Sequence, residues 1–254
     1  MSARHAVGYT VRSGVATITL DQPESRNAMT TPLMNGLGDR LTDAVADDAV
    51  RAIVLTNSGP AFCAGANLKQ DDTEAPRFGL VDIFGLLLDA PKPVVGRIAG
   101  HCTGGGVGLA AACDISVAAD DVQLGFTEVR IGVAPAVISV VCLPKMRRAD
   151  ASELFLTGAK ISAGRAVEVG LLNRSVPRDR LDASVGSVVE ELVRGAPGAL
   201  GAAKSLITRV PVMDRAAAFG WTAELSASLF GSDEAQAGMR AFRERTDPPW
   251  IPTE

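Results

Sequence analysis

Residues 15–20, Val-Ala-Thr-Ile-Thr-Leu, alternate apolar and polar side chains with period two and predict a half-buried strand, stopped by Asp21-Gln22-Pro23. The period then changes. Leu33, Leu37, Leu41 and Val45 recur every fourth residue, which predicts an amphipathic helix with Thr31 as its cap and Pro32 in its first turn. Residues 51–56 read as a short buried strand running into the turn residues Asn57-Ser58-Gly59-Pro60. Residues 81–88 read as a helix, 93–99 as a strand, 107–113 as a helix behind a glycine cluster, and 114–118 as a strand. Strands alternating with helices at these distances require crossover connections and an α/β core. The pattern changes after Leu156: Ser162 caps a helix over 163–169, 181–193 is helical, and 199–245 reads as helices separated by Gly and Pro. The chain therefore divides into a core over residues 1–195 and a helical region over 196–254.

Composition narrows the classes of function. The 254 residues are 47% hydrophobic and 21% charged, which suits a soluble globular chain with a large core. Aromatics make up only 4%, so the core must be packed from aliphatic side chains, and recognition of single-stranded nucleic acid by stacked rings is excluded. A net charge of −4 argues against a general polyanion partner. Cys63, Cys102, Cys113 and Cys142 never fall at CxxC spacing, and His5 and His101 are the only histidines, so no metal site of ordinary Cys/His type is expected. Residues 1–10 lack the apolar segment of a signal peptide, and the longest uncharged apolar run, 131–144, is broken by Pro135 and too short to span a bilayer. A reduced, cytoplasmic protein is the expectation.

The chemistry concentrates in two loops. Gly100-His-Cys-Thr-Gly-Gly-Gly-Val-Gly follows a strand and opens a helix. Consecutive glycines there let backbone N–H groups approach a ligand where the helix dipole favours negative charge. It is not a phosphate loop, because Gly106 stands where Lys is needed, and not a dinucleotide fingerprint, because Leu109 replaces its last glycine. The second loop, residues 61–69, is built of small residues after the 51–56 strand. Ligands bind outside the carboxyl ends of parallel strands, so two such loops can aim two N–H donors at one oxyanion.

These segments together resemble the crotonase family of enoyl-CoA hydratases and isomerases. Arg26-Asn27-Ala28-Met29, Phe62-Cys-Ala-Gly-Ala-Asn-Leu-Lys69, Gly104-Gly-Gly with Cys113-Asp114-Ile115, Leu156-Thr-Gly-x-x-Ile-x-Ala163 and the stretch from Ala241-Phe242 to Trp250 are similar to successive family landmarks over nearly the whole chain. The resemblance implies the ClpP/crotonase fold, with repeated ββα units in a right-handed superhelix and a C-terminal helical trimerisation region. It implies an acyl-CoA thioester as substrate, no separate cofactor because coenzyme A is part of that substrate, and a homotrimer or dimer of trimers. It assigns an oxyanion hole to the N–H groups of Ala66 and Gly105. Substrate contacts fall to Ala64, Ala66, Asn67, Leu68, Gly104 and Gly105, with Arg26 and Lys69 as cations for coenzyme A and Arg245 reaching it from a neighbouring subunit.

One departure bears on mechanism. A family hydratase carries one glutamate two residues after the triple glycine and a second further on. The matching positions are Gly108 and Glu128. Glu128 alone is left to move a proton, unless it is an ordinary ion-pair partner of Arg130 or Arg147. The acidic run of Asp71, Asp72 and Glu74 is either solvated or the source of a replacement carboxylate. The run Gly104 to Ile115 followed by Phe126 to Ser139 looks like a bacterial hydratase branch for branched-chain, methylglutaconyl-type acyl groups. His101 reads as structural, and Cys63 and Cys102 as small buried residues rather than reactive thiols. Three activities follow from the resemblance: an enoyl-CoA hydratase, a Δ3,Δ2-enoyl-CoA isomerase using Glu128, or an acyl-CoA binding protein without catalysis.

Overall fold

In a computed structural model, residues 6–69 and 74–251 are described. A six-stranded sheet runs in the order β1 (Val7–Arg12), β2 (Val15–Leu20), β3 (Ala52–Asn57), β5 (Val94–Ile98), β7 (Ile115–Ala119), β10 (Arg174–Val176). A smaller sheet has the order β4 (Ala61–Cys63), β6 (His101–Thr103), β8 (Gln123–Gly125), β9 (Lys160–Ser162). Among the described residues only the outer pairs β1·β2 and β8·β9 are antiparallel; the other strand pairings are parallel.

The chain visits the two sheets in turn. β3 and β4 precede α2 (Leu80–Asp89), and β5 and β6 precede α3 (Gly105–Ala112). β7 and β8 then precede α4 (Ala136–Cys142) and α5 (Arg148–Thr157). Each strand–strand–helix turn adds one strand to each sheet, which is the repeated ββα architecture that the resemblance implies. The internal strands are covered on both faces: every residue of β3 is buried, its closing Thr56 and Asn57 included, whereas β2, nearer the edge, alternates. α1 (Thr31–Ala46) buries Leu33, Leu37 and Leu41 against the large sheet. Its cap is one residue earlier than the pattern suggests: Thr30 Oγ1 accepts the Leu33 N–H at 3.3 Å, and Thr31 is already helical. The strands β1, β4, β6, β8, β9 and β10 are absent from the sequence expectation. Most are three residues long, too short to display a period.

Past α6 (Ala163–Glu168), whose Ser162 cap is as expected, α7 (Leu181–Arg194) packs on the large sheet. Three further helices follow, α8 (Pro197–Arg209), α9 (Arg215–Phe230) and α10 (Asp233–Glu244). Polar contacts tie them down. Lys204 Nζ, almost wholly buried, lies 2.8 Å from Asp114 Oδ2 and donates to Leu87 O at 2.7 Å. Arg51 donates to Trp250 O at 2.6 Å and Gly195 O at 2.8 Å, and Trp250 Nε1 donates to Arg194 O at 3.0 Å. Arg209 stacks 4.3 Å above the Trp221 ring. Among the described residues no helix is long and apolar enough to cross a membrane, and no His/Cys/Asp/Glu group suits a metal ion.

Candidate active site

The loop after β4 is shaped by the Arg26 to Met29 segment. Asn27, fully buried with φ 52°, donates from Nδ2 to Ser58 O at 3.0 Å and Ala61 O at 2.8 Å, while its Oδ1 accepts the Gln22 N–H at 2.7 Å. That anchor lets Met29 N donate to Gly65 O at 2.8 Å, places Met29 beside Ala66 as a parallel bridge, and brings the Ala64 N–H to Arg26 O at 3.1 Å. Asn27 is thus the structural residue of a motif from which sequence reading takes only Arg26.

The second loop is set by glycine. Gly104 turns the chain from β6 into α3 with φ 54° and ψ −120°, a conformation that favours residues without a Cβ. A methyl on Gly106 would lie 2.1 Å from Cys63 O, so α3 packs directly on the first loop. The two loops meet there: a methyl on Gly65 would stand 3.3 Å from Gly105 N. The N–H groups of Ala66 and Gly105 have no acceptor among the described residues, the second as an orphan donor of the first turn of α3.

Glu128 sits in a 3-10 turn, Thr127–Ile131, behind the buried Phe126, whose ring is 4.4 Å from that of Phe155. Its Oε1 would be 3.0 Å from a methyl on Gly104, so the carboxylate lies directly against the glycine turn. Its Oε2 is buried without a hydrogen-bond partner. Burial pushes the carboxyl above its ordinary 4.5, only partly offset by the residue's own N–H. The ion-pair alternative is not realised, because Arg147 bonds Asp150 at 2.7 Å and Arg130 Nε turns to Thr157 O.

Loop, glycine turn and Glu128 face one half-open cavity of about 460 Å3, lined further by Leu80, Ile131 and residues 133–138. Gly108 does not open into it. A Cβ there would lie 2.7 Å from both Phe84 Cζ and Ile138 Cγ2, so hydrocarbon fills the place of the family's first glutamate. Asp71 and Asp72 lie outside the described residues; Glu74 is exposed and accepts the Thr31 hydroxyl through its backbone oxygen at 2.7 Å.

The expected substrate contacts separate. Ala64, Ala66, Leu68, Gly104 and Gly105 line the cavity. Asn67, whose Oδ1 accepts the Lys69 N–H at 3.2 Å, and the exposed Lys69 stand outside that lining. Arg26 faces a second concavity of about 360 Å3 together with His101 and Lys160, a cation that sequence reading missed because β9 is too short to recognise. The two concavities share Ala64 and Thr103. Arg245 ends α10 and lines neither. His101 is structural, its Nδ1 accepting the Gln123 N–H at 3.0 Å. The Cys63 thiol is pushed up to about 12 by burial and Cys102 is raised well above 9.0, so neither is a nucleophile.

Two backbone donors and a half-buried carboxylate converging on an apolar cavity, in a two-sheet ββα superhelix, define a crotonase-fold protein. The model of the family described as enoyl-CoA hydratase/isomerase matches residues 10–252, and the chain belongs to that family. It is 32% identical over 240 residues, 92% of this chain and 93% of the other, to a protein of Mycobacterium tuberculosis named as a probable enoyl-CoA hydratase. The solved enoyl-CoA hydratase of Mycobacterium smegmatis superposes with a TM-score of 0.89 at 29% identity, covering 96% of this chain and 98% of that one. That of Bacillus anthracis superposes with a TM-score of 0.89 at 26% identity, covering 97% and 99%.

Proposed function

We propose that the protein is an enoyl-CoA hydratase, adding water across the double bond of a trans-2-enoyl-CoA. The observation that carries this reading is the convergence, around Gly104, of two unpaired N–H groups and one unpaired carboxylate oxygen. The thioester oxygen is held by Ala66 and Gly105. Glu128 takes a proton from water as the water oxygen bonds C3, and the C2=C3 pair moves into the C1–C2 bond while the carbonyl pair moves onto the thioester oxygen. The enolate then collapses and protonated Glu128 returns the proton to C2. Its raised pKa supports both halves, making it a stronger base and then an acid of moderate strength. Each backbone donor is worth about 2.7–4 kcal/mol in the transition state. The nucleotide phosphates of coenzyme A extend into the concavity that Arg26 and Lys160 line, with Lys69 at the rim and Arg245 supplied by a neighbouring subunit.

The hydrocarbon around Gly108 favours a second reading, a Δ3,Δ2-enoyl-CoA isomerase, because moving a proton between C4 and C2 needs one carboxylate and no water. Crotonyl-CoA losing its conjugated thioester absorbance supports the hydratase; a 3-enoyl-CoA gaining it, with crotonyl-CoA inert, replaces it by the isomerase. Binding with neither change leaves an acyl-CoA binding protein. We also propose a homotrimer or dimer of trimers, in which the exposed Ile207, Val212, Phe219 and Phe230 of the C-terminal helices are covered. Light scattering tests it, with masses of three or six times 26.3 kDa expected.

A further inference from the structure

We propose that Thr127 is a water-positioning residue, its hydroxyl accepting one hydrogen of the water whose other hydrogen passes to Glu128. The inference rests on the hydratase reading above and adds a residue to it. A water that adds to C3 must give up one proton and aim a lone pair at carbon, while its second O–H needs an acceptor of its own. An O–H left without one against hydrocarbon is costly. Among the described residues lining the cavity, the only polar side chains are Thr103, Thr127 and Glu128. Helix α3 offers none, because Phe84 and Ile138 fill the space around Gly108. With Glu128 taking the first proton, the side chain left to accept the second O–H is a threonine.

The two threonines differ in place. Thr103 ends β6 and lines both the reaction cavity and the concavity of Arg26 and Lys160, so it stands at the passage that the coenzyme A arm would take. C3 lies beyond the thioester, away from that arm. Thr127 lines the reaction cavity alone and opens the 3-10 turn that carries Glu128. It is half-buried, and among the described residues its hydroxyl makes no hydrogen bond. Its methyl is turned toward Gly125, where an added methyl would stand 3.4 Å from Cγ2, which leaves Oγ1 as the branch free to meet a ligand. The turn is fixed by its own closure: Gly132, at φ 81°, and Val133 both donate to Glu128 O, the second at 3.2 Å. Adjacent residues of one such turn hold their oxygens in a constant relation, which suits them to grip one water between them. Thr127 keeps its own proton throughout: the O–C3 bond forms, one water O–H bond breaks, and that proton goes to Glu128.

Thr127→Val keeps the shape of the side chain and removes the hydroxyl. In the full-length protein with crotonyl-CoA it should lower kcat about 10–100-fold, with KM and the calorimetric affinity for the unreactive butyryl-CoA within about threefold of the parent's. Thr127→Ser restores the hydroxyl without the methyl and should recover most of the lost rate. Hydration by Thr127→Val at the parent's rate, Thr127→Ser no faster than Thr127→Val, or a larger kcat loss in Thr103→Val would overturn the assignment and leave the hydratase reading standing. A fall in butyryl-CoA affinity that matches the fall in kcat would mark a merely structural residue and overturn it as well. A parent inert toward crotonyl-CoA removes the hydratase reading and this inference together.

Discussion

Gly108→Glu would rebuild the family's pair of glutamates in sequence, and we expect it to damage the protein rather than improve it. The new Cβ would stand 2.7 Å from Phe84 Cζ, 2.7 Å from Ile138 Cγ2 and 3.0 Å from Ile138 Cβ. Phe84 and Ile138 are 5% and 3% exposed, so neither side chain has solvent to swing into. Overpacking of this kind costs about 1–3 kcal/mol. Replacing glycine in the middle of α3 returns about 0.5 kcal/mol of helix propensity. The carboxyl group itself, enclosed by hydrocarbon, adds about 2 kcal/mol or more whether it stays charged or takes a proton. The sum is a loss of about 3–5 kcal/mol, and at roughly 2–4 °C per kcal/mol for a chain of this size the Tm should fall by roughly 10 °C. Gly108→Ala isolates the steric part and should lose only about 0–2 kcal/mol. Circular dichroism gives the melting curves, and the disappearance of crotonyl-CoA absorbance gives the rate. A Gly108→Glu protein that melts with the parent and hydrates tenfold faster would refute the reasoning, since it would mean that the position opens onto the substrate.

Glu128→Gln should lower turnover by about 10²–10⁴-fold while leaving acyl-CoA affinity within a few-fold; turnover equal to the parent's would remove Glu128 from the mechanism. Because burial raises its carboxyl above 4.5 and the water-activating form is the anion, kcat/KM should fall as pH drops through a point above 4.5, and an acid limb at or below that value would contradict the desolvated environment. Gly105→Pro deletes one N–H at the first position of α3, where proline is tolerated, and should cost about 10²–10³-fold in kcat; Gly105→Ala, which keeps the donor and displaces only the end of Met29, is the control. Lys204→Met leaves Asp114 without its buried partner and should destabilise by about 3 kcal/mol, seen as a shift of the denaturant midpoint at constant m.

The parts of this molecule visible in the sequence are those governed by local repetition. The alternation in residues 15–20 and the four-residue spacing of Leu33, Leu37 and Leu41 match β2 and the buried face of α1, because one period suffices to orient an amphipathic element. The small sheet was invisible because strands such as Ala61–Cys63 and His101–Thr103 gain their identity from partners some 40 positions away, as in the pairing of Ala61 with His101. In the site, the glycines announced a turn, but not what filled the space behind it. Phe84 and Ile138 approach Gly108 from two other helices, and no spacing within the glycine motif encodes them. The same holds for Lys160, which joins Arg26 only through the register of β9 on β8.

The location of the two tryptophans gives the molecule an uneven optical signature. Trp221 lies under Arg209 and Trp250 is held between Arg51 and Arg194, so both indoles report on the C-terminal helices and their attachment. The strands of the two sheets hold Tyr9 and Phe62 but no indole. Emission excited in the red edge of the absorption band will therefore follow the docking of α8 to α10 and remain silent about the strands. Paired with far-ultraviolet ellipticity, it distinguishes release of the helical region from collapse of the whole fold in one unlabelled sample.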